Sequence, residues 1–303
     1  MKRYLLLLLF FSACTPKETT TGDITTQVEN GLIEGEVYFE GDKTSTIQER
    51  MDFWGVPGVS IAVIKDNKIV WSKAYGIMDK ETNEPVTTTT LFQAGSISKP
   101  VAAYGALKAV ENGKLNLTDD VNKFLTTWKI PENEFTKDKK VTLAELLSHT
   151  GGLTVHGFWG YSPDLPVPTV VQVLDGTPPA NSPPIRVDKE PGGTFRYSGG
   201  GYTVMQQMMI DVYNKPYPEI EKELVLAPLQ MNNSTYEQPL DSVKIKLAAT
   251  GYLPDHQQTK GKRHTYPEMA AAGLWTTAED LAKFAIDVQL AFKAESKNLS
   301  TNR

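Results

Sequence analysis

The chain has 303 residues, of which 40% are hydrophobic and 22% are charged, and its formal net charge at pH 7 is −5. This length can bury a sizeable core, and this composition is ordinary for a globular protein. The negative net charge and the lack of a basic run argue against a nucleic-acid partner. The 4 histidines show no metal-ligand spacing. We therefore predict neither a metal site nor a cofactor.

The beginning of the chain has the pattern of an export signal. In MKRYLLLLLFFSAC, two basic residues precede an apolar run that is too short to span a membrane. The phrase FSAC resembles a bacterial lipobox, whose cysteine is lipidated, although Phe11 departs from the usual leucine. We predict a signal peptide at residues 1–13, lipidation at Cys14, and export to the cell envelope with a lipid anchor in the membrane. The alternative is a plain signal peptide with an incidental cysteine.

A polar segment follows the lipidation motif. Residues 14–30 predict a flexible tether between lipid and domain. Cys14 is the single cysteine of the sequence, so the exported domain is predicted to lack a disulfide. We assign residues 31–303 to one folded domain.

A helix is predicted near the start of this domain. Ser45 and Gln48 have the spacing of a capping box, in which two side chains cap the first turn. The residues that would share one apolar face of this helix are Ile47, Met51 and Trp54.

A hairpin and further helices follow. Apolar, β-rich runs around the turn KDNK predict a hairpin over residues 59–75. From Ser96 the apolar spacing becomes helical and stops at Gly113. Thr142 and Glu145 form a second capping-box signal. Because the clear strands lie near the front and helices dominate the middle, we predict an α+β fold with an all-helical insertion.

A long segment rich in proline, glycine and aromatic residues covers residues 154–193. A loop region this long inside a compact chain is usually functional. We therefore predict that Trp159 and Tyr161, within this segment, bind substrate.

Ser96 and Lys99 carry the candidate chemistry. Residues three apart share one face of a helix, so the lysine can reach the serine hydroxyl. A serine in the first turn lies at the positive end of the helix dipole. The lysine can act as a base only if its surroundings hold it partly neutral. On these two residues alone, a helix cap beside a solvated lysine is the better interpretation.

Four phrases in fixed order change that interpretation. They are LFQAGSISKP, LLSHTGGL, FRYSGGGY and AAAGLWTTAEDLAKFA. In this order and spacing they resemble the serine β-lactamases and penicillin-binding-protein-like hydrolases of the class C-related branch, which includes DD-peptidases and esterases. The resemblance runs from about residue 44 to about 294 and implies a β-lactamase/transpeptidase-like fold, with an antiparallel sheet, flanking helices and an all-helical lobe.

The resemblance also implies roles for individual residues. Ser96 would be the nucleophile, and Lys99 with Tyr197 would move its proton, while the backbone N–H of Ser96 would help to hold the oxyanion. Tyr197 matches the first residue of the Tyr-x-Asn motif of the family. Gly199 stands where many relatives carry the asparagine, so this substrate-binding position lacks an amide able to hold a carbonyl.

The third motif of the family, a Lys/His-Ser/Thr/Gly-Gly triplet on a C-terminal strand, is not found beyond residue 202. The triplet HTG at residues 149–151 resembles it but stands too early, so we interpret His149 as a structural loop residue. The resemblance implies that the C-terminal strands are missing. We expect a chain truncated at its C-terminus, in which the hairpin keeps an open apolar edge and face.

The predicted activity is that of a serine hydrolase working through an acyl-enzyme on an ester, amide or β-lactam carbonyl. The substrate is a small molecule or a peptidoglycan peptide, and β-lactamase, D-Ala-D-Ala carboxypeptidase and esterase activities remain open. The alternative is a non-catalytic lipoprotein that serves as a binding module. The missing third motif favours that alternative, and the intact Ser96, Lys99 and Tyr197 oppose it.

Overall fold

The computed structural model describes residues 21–35, 39 and 41–300. The predicted signal peptide and Cys14 lie outside the described residues. The chain forms two compact units, one that ends at Trp54 and one that begins at Gly55. Within the described residues, no helix is both long enough and apolar enough to cross a membrane.

The N-terminal unit contains helix α1 (Thr21–Asn30), strands β1 (Leu32–Ile33) and β2 (Thr44–Ser45), and helix α2 (Ile47–Trp54). β1 and β2 pair in antiparallel register. The last ten residues of the segment predicted to be a flexible tether form this helix, α1. α1 packs against α2, and such tertiary contact routinely overrides a weak local propensity.

The capping box of α2 stands one residue later than predicted. The Thr46 hydroxyl accepts a 3.1 Å hydrogen bond from the Glu49 N–H, and the Glu49 carboxylate accepts a 2.7 Å bond from the Thr46 N–H. The predicted pair of Ser45 and Gln48 is wrong because Ser45 belongs to β2 and donates its hydroxyl proton to Glu34.

The predicted apolar face of α2 is confirmed at two of its three positions. Ile47 and Met51 are buried, whereas 62% of Trp54 is exposed. Trp54 packs edge-on against Phe53 at a centroid distance of 5.1 Å. The prediction was wrong at Trp54, which is the last residue of the helix.

The predicted hairpin opens the second unit and consists of β3 (Gly58–Lys65) and β4 (Lys68–Gly76). Its two turn residues, Asp66 and Asn67, have φ values of 51° and 57°, the left-handed region that two-residue hairpin turns require. In the described part of the chain, β3 and β4 pair with no other strand. Helix α9 (Ala278–Phe292) packs against both strands, so a helix contacts the hairpin face that was expected to be open.

The second unit also contains a helical lobe. Its helices are α3 (Ser98–Glu111), α4 (Leu143–Leu147), α5 (Val170–Asp175), α6 (Gly199–Tyr213), α7 (Tyr217–Glu221) and α8 (Met269–Ala272). Its centre is α6, which packs against each of the other five helices. The predicted capping box of Thr142 and Glu145 is confirmed at the start of α4.

A short antiparallel pair of strands, β5 (Phe92–Gln93) and β6 (Trp275–Thr276), joins the two ends of this lobe. β5 is followed by a single 3-10 turn and then α3, and β6 lies between α8 and α9. The pair thus holds the start of α3 beside the end of α8. With small antiparallel sheets and many helices, the predicted α+β fold class is confirmed.

Candidate active site

Ser96 lies in a single 3-10 turn, Gly95–Ile97, between β5 and α3. It therefore precedes α3 instead of occupying its first turn as predicted. Gly95 has a φ of +52°, a conformation that glycine adopts without steric cost. The Ser96 side chain is exposed, so its hydroxyl is open to an approaching molecule.

Hydrogen bonds of Ser98 stabilise this turn. It is fully buried, and its hydroxyl donates a 2.6 Å hydrogen bond to the Gly95 carbonyl and accepts a 2.9 Å bond from the Leu274 N–H. Its own carbonyl accepts a 2.7 Å bond from the Tyr236 hydroxyl. The bond from Leu274 links the turn that carries Ser96 to the segment between α8 and β6.

Lys99 lies under Ser96 and is only 4% exposed. Its Nζ atom is 3.1 Å from the Ser96 Oγ atom and donates a 2.9 Å hydrogen bond to the Ala271 carbonyl of α8. Burial lowers the pKa of Lys99 from its usual range, and the interaction with Tyr197 opposes that shift. Partial neutralisation is the condition under which a lysine can accept a proton.

Tyr197 completes the group predicted from the sequence. The Lys99 Nζ atom lies 4.8 Å from the centroid of the Tyr197 ring. The same ring packs against two histidines, at centroid distances of 4.4 Å from His149 and 4.8 Å from His156. The structure thus brings Ser96, Lys99 and Tyr197 together and surrounds the tyrosine with imidazole rings.

The glycine run that follows Tyr197 allows a close approach between α6 and the segment before it. The Gly199 N–H donates to the His156 carbonyl at 2.9 Å, and the Gly200 N–H donates to the Val155 carbonyl at 3.0 Å. A Cβ atom at Gly200 would lie 2.6 Å from the Thr154 carbonyl oxygen, a distance that side-chain carbons do not tolerate.

Gly199 lies beside an aromatic ring. A Cβ atom at this position would be 3.0 Å from Cε2 of Phe158 and 3.1 Å from the His156 carbonyl oxygen. A side chain at Gly199 would therefore make a tight contact with the Phe158 ring, which would have to shift by a few tenths of an ångström. Gly199 is itself buried, so its predicted part in substrate binding depends on the groups around it.

The two aromatic residues predicted to bind substrate have opposite environments. Trp159 is 82% exposed, and its carbonyl lies 2.9 Å from Nδ1 of His264. Tyr161 is 1% exposed, its hydroxyl accepts a 2.9 Å hydrogen bond from the Asn181 N–H, and its backbone pairs with Thr265. Because Tyr161 has almost no free surface, we assign it to the scaffold of the loop and correct its predicted role.

A buried acid stands at the start of α8. Glu268 has no exposed surface, and burial raises its pKa to about 7. Gln206 of α6 forms hydrogen bonds with two residues of the same segment. Its side-chain N–H donates to the Pro267 carbonyl at 2.9 Å, and its side-chain oxygen accepts from the Ala270 N–H at 2.9 Å. α8 is therefore fixed in the position that presents the Ala271 carbonyl to Lys99.

Comparison with known proteins places the chain in a family. The beta-lactamase family model matches residues 44–302. The chain therefore belongs to the beta-lactamase family, and its fold is that of the serine β-lactamase and penicillin-binding-protein superfamily.

Individual relatives are distant and longer. The chain is 26% identical over 206 residues to Protein flp of Staphylococcus aureus (strain MW2), a match that covers 65% of this chain and 38% of that protein. The octameric penicillin-binding protein homologue from Pyrococcus abyssi has a TM-score of 0.65 and 27% identity, and the match covers 84% of this chain and 56% of that one. The D-alanine carboxypeptidase AmpC from Burkholderia cenocepacia has a TM-score of 0.63 and 25% identity, and the match covers 80% of this chain and 61% of that one. The chain thus spans less than two thirds of the length of each.

Proposed function

We propose that this chain is a serine hydrolase that works through an acyl-enzyme formed on Ser96. The observation that carries the proposal is the 3.1 Å contact between the buried Nζ atom of Lys99 and the exposed hydroxyl of Ser96. An exposed hydroxyl can reach a carbonyl carbon, and a lysine with a lowered pKa can accept the proton that the hydroxyl must lose.

The proposed reaction has two halves. In the first, the Ser96 hydroxyl attacks the carbonyl carbon, its proton passes to Lys99 and Tyr197, and the leaving group departs with a proton. In the second, water attacks the acyl-enzyme and the Ser96 hydroxyl is restored by the same groups in reverse. The hydrogen bond from Lys99 to the Ala271 carbonyl keeps the amine aimed at Ser96. Backbone N–H groups, including that of Ser96, hold the oxyanion.

Among the three carbonyl classes, we propose esters as the preferred substrates. Gly199 provides no side-chain amide for a substrate carbonyl, and the nearest side chain to it is the Phe158 ring, 3.0 Å from where a Cβ atom would lie. An aromatic ring beside this position suits an apolar acyl or alkoxy group, and an ester needs less leaving-group assistance than an amide. Trp159, which is 82% exposed, is the predicted outer contact for such a group.

The likeness to a D-alanine carboxypeptidase gives a second candidate substrate. At 25% identity this relative is a reason to test D-Ala-D-Ala peptides. Such a peptide presents an amide carbonyl, which normally requires polar partners beside the nucleophile. The environment of Gly199 therefore makes it the less favoured choice.

We further propose that the protein acts at the cell envelope, anchored by a lipid on Cys14. Metabolic labelling with a click-reactive fatty acid tests this proposal. The wild-type protein should take up label and partition into membranes, and Cys14→Ser should do neither. Equal labelling of the two proteins would contradict the proposal.

The experiment that tests the function compares three chromogenic substrates of matched size: an aryl ester, an aryl amide and a cephalosporin. The wild-type chain should hydrolyse the ester at the highest kcat/KM, and Ser96→Ala should reduce all turnover to background. A wild-type protein that binds these compounds without turnover would instead support a binding module. Preference for the amide or the cephalosporin would overturn the assignment of substrate class.

A further inference from the structure

The segment of residues 149–156 holds Tyr197 by its backbone on both sides. The N–H of Arg196, the preceding residue, donates a 2.8 Å hydrogen bond to the His149 carbonyl. The N–H of Ser198, the following residue, donates a 3.1 Å bond to Nδ1 of the same histidine. One residue therefore fixes the backbone immediately before and after Tyr197.

The His149 ring also contacts the Tyr197 ring face. The two planes are tilted by 33° at a centroid distance of 4.4 Å. On other sides the imidazole lies 5.2 Å from the ring of Tyr202 and 5.8 Å from that of Phe195. Three aromatic rings therefore pack around the imidazole, and the nearest of them is that of Tyr197.

His149 has an unusual backbone conformation, with a φ of +60°. Few non-glycine residues adopt this region, and such strain persists only where surrounding structure imposes it. Val155, in the same segment, has a φ of +64°, which is rarer still for a β-branched residue. Two strained positions therefore lie within the segment that contacts Tyr197.

We propose that His149 is a positioning residue that holds Tyr197 against Lys99, and that it does so only as the neutral imidazole with Nδ1 unprotonated. The inference rests on the proposed function, because that function has Tyr197 share proton transfer with Lys99. An unprotonated Nδ1 can accept the Ser198 N–H. A protonated Nδ1 would place two donors face to face, and the bond would be lost.

The charges around His149 favour the neutral form. The groups that face it are the Lys99 amine from α3, the His156 imidazole, and the phenols of Tyr197 and Tyr202. Burial first, and then the charge of Lys99 and the proximity of His156, lower the pKa of His149 below its ordinary 6.5. The hold on Tyr197 is therefore intact at neutral pH and weakens as the pH falls through that lowered pKa.

Two substitutions separate the contributions of His149. His149→Asn keeps a side-chain acceptor near the Nδ1 position and a residue that tolerates positive φ, but it cannot titrate. His149→Phe keeps a ring and removes the acceptor. His256→Asn is the matched control, because His256 has a φ of +65° and lies beside Gly55.

The readout is the dependence of kcat and KM on pH with the preferred substrate. We expect His149→Asn to keep kcat within about fivefold of wild type at pH 7.5 and to lose the acid inflection below pH 6.5. His149→Phe should lower kcat at least tenfold at pH 7.5 with KM within about threefold, and His256→Asn should match wild type. An unchanged acid inflection in His149→Asn, or wild-type kcat in His149→Phe, would overturn the proposal and leave the hydrolase assignment intact.

A second measurement does not depend on turnover. In ¹⁵N NMR spectra of the wild-type chain at pH 7.5, the Nδ1 atom of His149 should have the shift of an unprotonated ring nitrogen. A protonated Nδ1 would refute the positioning role whether or not the protein hydrolyses anything. If the wild type shows no turnover but Nδ1 is unprotonated, the proposed function is refuted and the hydrogen bond from the Ser198 N–H to Nδ1 of His149 still stands.

Discussion

The hydroxyl of Ser98 accepts a 2.9 Å hydrogen bond from the backbone N–H of Leu274, a residue 176 positions away in the chain. Both residues are fully buried. This bond ties the turn that bears Ser96 to the region that supplies the carbonyl acceptor of Lys99. The alignment of serine and lysine therefore depends on a residue that is not itself exposed to substrate.

The first prediction concerns this bond. Ser98→Ala leaves the Leu274 N–H without its acceptor, and we expect it to lower the free energy of unfolding by about 1–3 kcal/mol. Ser96→Ala is the matched control, since Ser96 is exposed and its loss should change stability by less than about 0.5 kcal/mol. Urea titration of both variants measures the difference. Equal stability of the two variants would contradict the role of Ser98.

The second prediction concerns Lys99 as a base. Lys99→Arg keeps a permanent positive charge and Lys99→Met removes the charge, and neither can accept a proton at neutral pH. We expect both to slow acylation by about 10²–10⁴-fold. Because burial lowers the pKa of Lys99, the wild-type rate should rise with pH through an inflection below 10.5. Stopped-flow acylation at a series of pH values tests this, and the inflection should be absent in Lys99→Arg.

The third prediction concerns Glu268, whose pKa is raised by burial from 4.5 to about 7. The folded state therefore binds this proton more tightly than the unfolded chain does. The contribution of Glu268 to the free energy of unfolding is fully present below about pH 4.5. It is lost as the pH rises to about 7, and a pKa shift of this size corresponds to a loss of roughly 3 kcal/mol. Glu268→Gln cannot ionise, so its stability should change less over this interval. Thermal melts of both proteins at pH 5 and pH 8 provide the comparison.

The control for Glu268 is the ordinary pH dependence of the rest of the molecule, which the two proteins share. The wild-type midpoint should fall between pH 5 and pH 8 by more than that of Glu268→Gln. Parallel changes in the two proteins would show that folding does not raise the pKa of Glu268.

The fourth prediction concerns the glycine run in the first turn of α6. A Cβ atom at Gly200 would meet the Thr154 carbonyl oxygen at 2.6 Å, whereas one at Gly199 would meet its nearest neighbour, Phe158, at 3.0 Å. Because a backbone carbonyl held in a hydrogen-bonded segment cannot move as a ring can, Gly200→Ala should destabilise the protein more than Gly199→Ala. We expect about 1–3 kcal/mol for Gly200→Ala. Chemical denaturation measures both, and the reverse order would contradict the packing described.

Sequence patterns predicted much of the fold where the signals were local. The hairpin turn at Asp66 and Asn67 and the capping box of Thr142 and Glu145 depend on residues within four positions of each other. Such signals need no knowledge of the remaining chain. The capping box near Ser45 was misplaced by one residue because both Ser45 and Thr46 can cap a helix, and only the pairing of β2 decides between them.

The candidate site was predicted less completely. Ser96, Lys99 and Tyr197 came from a family resemblance, and the structure brings them together. The partners that hold them, such as Ser98 with Leu274 and Lys99 with Ala271, are more than 170 positions apart. No local pattern indicates such contacts. His149 was interpreted as a structural loop residue, and its packing on Tyr197 extends that interpretation.

The measurement that tests the central claim most directly is covalent labelling with a fluorophosphonate, followed by intact mass spectrometry and peptide mapping. Wild-type protein should gain one adduct, located on Ser96, and Ser96→Ala should gain none. Lys99→Met should label far more slowly than wild type, because the hydroxyl then lacks its base. Equal labelling of wild type and Ser96→Ala, or no labelling of the folded wild-type protein, would contradict the assignment of Ser96 as the nucleophile.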